Sequence, residues 1–106
     1  MTFTIRSKYV HIVDGDVRVT RYADGSLALV ADDGSGEPPE RLSVNLAGYG
    51  MTPPAGHVYV KDYSEHEGLP HALEEAGVAF KEEEVRFGPW GHGWLMRVSE
   101  RVLSNE

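Results

Sequence analysis

A chain of 106 residues with 17 acidic and 10 basic side chains, a formal charge of −7 and no cysteine has the length of one domain, 1–106. Disulfides, thiolate metal sites and a cysteine nucleophile are excluded, and direct nucleic-acid binding is disfavoured, because that binding is driven by cationic side chains that release counterions from phosphate. No apolar run near Met1 has signal-peptide length, and none approaches the roughly 20 residues of a membrane helix, so a soluble cytoplasmic protein is expected.

The first apolar run, Val10, Ile12 and Val13, stops at Asp14-Gly15-Asp16. Val17, Val19 and Arg21 then alternate with Arg18, Thr20 and Tyr22, and after Ala23-Asp24-Gly25 the alternation resumes at Leu27, Leu29 and Ala31. Period two on both sides of a glycine-bearing turn predicts a hairpin. A two-residue Asp24-Gly25 turn sets Val19 opposite Val30. A three-residue loop, Ala23 to Gly25, pairs Tyr22 with Ser26 and gathers Val17, Val19, Leu27, Leu29 and Ala31 on one face. The second register buries more apolar surface and puts Gly25 where a left-handed residue is wanted, so it is preferred.

Asp32 to Pro39 has the composition of an exposed loop. Leu42, Val44 and Leu46 alternate with polar neighbours as a half-buried strand, 47–56 is irregular, and Val58 with Val60 marks another strand. Ser64-Glu65-His66-Glu67 has the spacing of a capping box. Pro70 is comfortable only in a first turn, so Ser64 is expected to cap a short turn and the helix proper to start near Leu69. Leu69, Leu73 and Ala76 would face inward, Glu74 and Glu75 outward, with Gly77 ending the helix. Val78 to Phe80 and Val85 to Phe87 are extended, Gly88-Pro89-Trp90-Gly91 breaks the chain, and Trp94, Met96 and Val98 form a last strand with Trp94 facing the core. A short tail helix follows Ser99. The expected fold is α+β: a mainly antiparallel sheet of about six strands with one docked helix.

No motif carries chemistry. His66 and His71 invite comparison with the HExxH zinc motif, but they lie five apart and about 140° out of line on a helix, with proline between. Asp32 to Glu37 lacks the ligand order of a calcium loop, and no serine sits in a nucleophile elbow. No metal, cofactor or catalytic residue is assigned, and a non-enzymatic protein is expected.

Two features stand out. Between Asp62 and Glu84 lie eight acidic residues (Asp62, Glu65, Glu67, Glu74, Glu75, Glu82, Glu83 and Glu84), opposed by Lys81. Such a face suits a basic protein surface. The run Gly88-Pro89-Trp90-Gly91-His92-Gly93-Trp94 sets Trp90 and His92 on a glycine-rich loop, and exposed tryptophan is a favoured interface anchor.

The segments Val58 to Gly68 and Ala72 to Val78, about a fifth of the chain, resemble a stretch of small uncharacterised accessory proteins of phages and integrative elements. Pro70 and His71 depart from the helix-friendly residues of that stretch. The resemblance implies an anti-defence inhibitor of the anti-CRISPR or anti-restriction type. The leading expectation is therefore an acidic binding protein that occupies a basic surface of a nucleic-acid-handling host complex, its partner-binding residues being those eight carboxylates with Trp90 and His92. The alternatives are a small-ligand binder or metal-assisted enzyme built on His92 and nearby carboxylates, and a subunit whose aromatic loop is covered in a homo-oligomer.

Overall fold

The computed structural model describes residues 2–105. The chain is α+β, with seven strands divided between two antiparallel sheets rather than gathered in one. The first sheet has the order β1 (Thr2–Arg6), β2 (His11–Arg21), β3 (Leu27–Asp32) and β4 (Glu40–Arg41). In its central hairpin Val17 pairs with Ala31, Val19 with Leu29 and Arg21 with Leu27. The turn is the three-residue loop: Tyr22 N–H donates to Ser26 O at 2.9 Å, and Gly25 takes a φ of 88°. Val17, Val19, Leu27, Leu29 and Ala31 are all buried on one face, as the preferred register requires.

The apolar run at Val10 does not stop at Asp14. β2 continues through Asp14-Gly15-Asp16, where its pairing with β1 slips by one residue between Phe3↔Gly15 and Ile5↔Ile12. The cause is parity. Ile12 and Val17 are five apart, so an unbroken period of two would put them on opposite faces. An extra residue at Val13–Asp14 brings both inside, at the cost of a left-handed Asp14 (φ 51°) and an exposed Val13. Asp14 N–H is met by Thr4 Oγ1 at 3.2 Å.

The strand expected over Leu42 to Leu46 is reduced to one isolated bridge, Val44↔Tyr59, just after the two-residue β4. Here the chain leaves one sheet for the other. Leu42 N–H donates to Leu29 O at 2.8 Å and Val44 N–H to Tyr59 O at 2.9 Å. Leu42 and Leu46 are buried all the same.

The second sheet has the order β5 (His57–Lys61), β7 (Gly91–Val98) and β6 (Ala79–Phe87). Between β5 and β6 lie a 3-10 turn, Ser64–His66, and α1 (Leu69–Glu75), so the short turn and the helix start near Leu69 fall where expected. The capping box does not form. Ser64 has a φ of 56° and makes no side-chain cap, while Lys8 holds the Glu67 carboxylate at 3.2 Å, so it does not return to Ser64. Asp62 Oδ1 instead accepts the Gly68 N–H at 2.7 Å. At the other end Gly77 N–H donates to Glu74 O and Val78 N–H to Leu73 O, a Schellman closure with Gly77 at φ 77°. The tail helix α2 (Glu100–Leu103) follows Ser99.

One apolar interior joins both sheets. Ile5, Val17 and Leu29 meet Val58, Val60, Met96 and Val98, with Leu69 and Leu73 of α1 and Val102 of α2 filling the ends, and Trp94 packs against this core half-buried. The opposite face of the second sheet carries a smaller cluster, Leu46, Tyr59 and Phe87, flanked by Val44, Met51, Tyr63, Val85 and Leu95.

Gly93 leaves no room for a side chain between β5 and β7: a Cβ there would sit 2.5 Å from the Val60 carbonyl oxygen. Gly93→Ala is expected to cost about 1–3 kcal/mol through forced strand separation. Gly48→Ala, with nothing within 4 Å, should stay within about 0.5 kcal/mol of wild type. Urea denaturation of the two variants side by side checks the difference.

Candidate functional site

The acidic run is contiguous in sequence and divided in space. Its first part, Asp62 to Glu67, lies in the loop before α1. Asp62 is occupied by the Gly68 N–H, Glu65 ion-pairs with Lys61 at the end of β5, and Glu67 with Lys8. Hydrogen bonds from Lys61, then Ser64, hold the exposed Glu65 carboxyl at about 2. The second part is α1. Glu75 is exposed and pairs with His71 at 2.8 Å. Glu74, expected to point outward, is half-buried: its Oε2 accepts the Lys81 N–H at 2.9 Å and ties the helix to the start of β6. A reversal at Glu75 therefore probes surface charge, whereas one at Glu74 also strikes the fold.

The third part is β6, an edge strand of its sheet. Glu82, Glu83 and Glu84 are exposed there. Glu82 Oε1 lies 2.6 Å from His57 Nε2 and its Oε2 3.7 Å from Arg97 Nε; Glu84 lies 2.7 Å from His92 Nε2. Glu83 forms no ion pair among the described residues. It stands in the same cross-strand row as Leu95 and Tyr59, and its charge adds to burial in raising the Tyr59 phenol above its usual range.

β6 runs into β7 through the loop Gly88 to Trp90. Tyr49 holds the root of that loop: its ring lies 5.6 Å from Phe87 and would meet a Cβ on Gly88 at 3.3 Å. Trp90 at the tip is 86 % exposed. The fold thus places Glu82 to Glu84, Trp90 and His92 on one hairpin, while Asp62, Glu65, Glu67, Glu74 and Glu75 belong to the preceding loop and helix. Sequence reading missed Tyr49, which gave no signal inside an irregular segment, and His57, whose partner Glu82 is brought opposite only by the β5-β7-β6 order.

Three histidine–carboxylate pairs result, at His57, His71 and His92. Such a pair orients an imidazole for proton transfer; His71 is exposed while His57 and His92 are half-buried, and no serine or threonine hydroxyl hydrogen-bonds any of the three rings among the described residues. His66 and His71 do not converge, His66 being buried and His71 exposed. No group of three histidine, aspartate or glutamate side chains among the described residues is close enough to hold a metal ion. No helix among the described residues is long and apolar enough to cross a membrane.

His66 is 8 % exposed, and its Nδ1 has no hydrogen-bond partner. Burial, reinforced by Lys61 and opposed by Glu65, lowers its pKa below 6.5. The folded state therefore holds a neutral imidazole while the unfolded chain takes up a proton, and stability falls as pH drops through and below about 6.5. His66→Gln should flatten that slope. Urea midpoints of wild type and variant between pH 7.5 and 5.5 check it, and parallel curves would refute the assignment.

Comparison of the chain with protein-family models, curated proteins and solved structures gives no match.

Proposed function

We propose that this protein is a non-enzymatic binding module that docks on a basic protein surface through the β6–β7 hairpin. The observation that carries the reading is the pairing on one hairpin of three consecutive exposed carboxylates with a tryptophan that is 86 % exposed. A large aromatic side chain left in water at a loop tip is an anchor awaiting a pocket. The carboxylates on the same hairpin supply charge that steers a cationic partner and rejects acidic ones. β6 is an edge strand, so beyond Lys81 its outer side is open to a partner.

Surfaces that handle nucleic acid are basic, and an acidic hairpin competes for them with phosphate. Together with the resemblance of Val58 to Gly68 and Ala72 to Val78 to phage accessory proteins, this supports an inhibitor of a host nucleic-acid-handling defence complex. A second reading, ligand chemistry at His92, has the 2.7 Å His92–Glu84 pair in its favour. It predicts that Glu84→Gln abolishes function while Trp90→Ala leaves it intact.

Docking predicts the reverse weighting. With a partner captured from the native host and purified, Trp90→Ala should weaken binding by about 30-fold, the effect of a central aromatic anchor. Glu83→Lys should slow association and reduce its salt dependence with little change in dissociation. Both side chains are exposed, so melting temperatures should stay at wild type. Surface plasmon resonance at two salt concentrations separates the rates, and wild-type kinetics in both variants would sink the proposal.

A further inference from the structure

The outer face of the first sheet is a second surface, built on two arginines. Arg18 pairs with Val30 across β2–β3, and Val30 with Arg41 across β3–β4. The two arginines therefore flank one half-buried valine, their Cα atoms two strand spacings, or about 10 Å, apart. Thr20 and Pro39 complete the walls of an open trough of about 620 Å³.

Arg41 is held in place from the core outward. Ser43, 4 % exposed, accepts the Leu29 N–H at 2.9 Å, and its Oγ lies 2.9 Å from the Tyr22 hydroxyl. The Tyr22 ring in turn lies 5.0 Å from the Arg41 guanidinium. A guanidinium stacked on an aromatic face keeps its edge N–H groups free for a bidentate acceptor. Among the described residues no carboxylate ion-pairs with Arg41, and Arg18 has Asp16 alone at 3.8 Å. An arginine positioned by a ring and a buried serine, with its donors unclaimed, is built to receive an anion.

We propose that this face binds an extended acidic segment of a partner protein, with two carboxylates two residues apart taken by Arg18 and Arg41. Such carboxylates lie on one side of an extended chain about 7 Å apart, within reach of two long side chains rooted about 10 Å apart. A small molecule is not the occupant, because ligand pockets enclose most of what they bind and this trough is open. Nor is nucleic acid: tight phosphate binding needs a run of cations, and this trough is lined by two. The surface lies on the other sheet from the β6–β7 hairpin and stands or falls separately from it.

The test is fluorescence anisotropy at physiological salt with a labelled peptide whose core alternates glutamate with valine. The same peptide with glutamine for glutamate and a labelled single-stranded thymidine oligonucleotide are run beside it. The glutamate peptide is expected to bind and the glutamine peptide not. Arg18→Gln and Arg41→Gln should each weaken binding about tenfold, the loss of one charge-assisted contact. Tyr22→Phe, which keeps the ring and loses the Ser43 contact, should weaken it less, and Arg86→Gln on the other sheet not at all. Thermal melts confirm folding, and should Arg41→Gln melt low, the exposed Arg18→Gln decides alone. The proposal is overturned if the glutamate peptide does not bind, if it binds the arginine variants as it binds wild type, or if the oligonucleotide binds more tightly than the peptide.

Discussion

Two sheets sharing one apolar interior impose a parity on every strand: alternate residues must point to the same inside along the whole ladder. Where the sequence breaks that alternation, the backbone gives way. At Val13–Asp14 an extra residue lets Ile12 and Val17 both face inward, and the β6 register shifts between Lys81 and Glu83. The crossing at Leu42 to Val44 obeys the same demand from the other direction, giving one hydrogen bond to each sheet while Leu42 and Leu46 stay buried. The close approach at Gly93 and the docking of α1 on β6 follow from closing that interior.

The local grammar of the chain was legible wherever it was periodic. Val17 to Ala31 declared its register because a single choice put five apolar side chains together, and Gly77 declared the helix end because its closing geometry favours glycine. Asp14-Gly15-Asp16 misled because the residues that favour turns also favour bulges, and the two differ only in what the next strand does. Ser64 misled because a capping box needs a free glutamate, and Lys8 from the distant β1–β2 turn claims Glu67. Nothing near Ser64 announces that competition. The split into two sheets was hidden for a like reason: the count of strands is local, their partition is not.

The candidate site was legible as composition and illegible as geometry. Glu82 to Glu84 and Trp90 were visible as an acidic run and an aromatic loop, and the antiparallel order β5-β7-β6 set them on one hairpin. Glu74 looked like any outward helical carboxylate until the chain returned to present Lys81 N–H to it. Arg18 and Arg41 gave no signal at all, being 23 residues apart in the sequence and neighbours only through Val30.

The edge position of β6 has a consequence for how copies of the chain treat one another. An open edge strand is a template for adding an identical strand, the route to ordered aggregates. Here the start of the edge is closed by the Glu74 carboxylate on Lys81 N–H, and its middle presents Glu82, Glu83 and Glu84. A second β6 laid antiparallel would bring glutamate against glutamate, like charges opposed across the new ladder. The strand therefore discriminates against its own kind. Neutralising these three side chains would expose the protein to polymerisation along that edge.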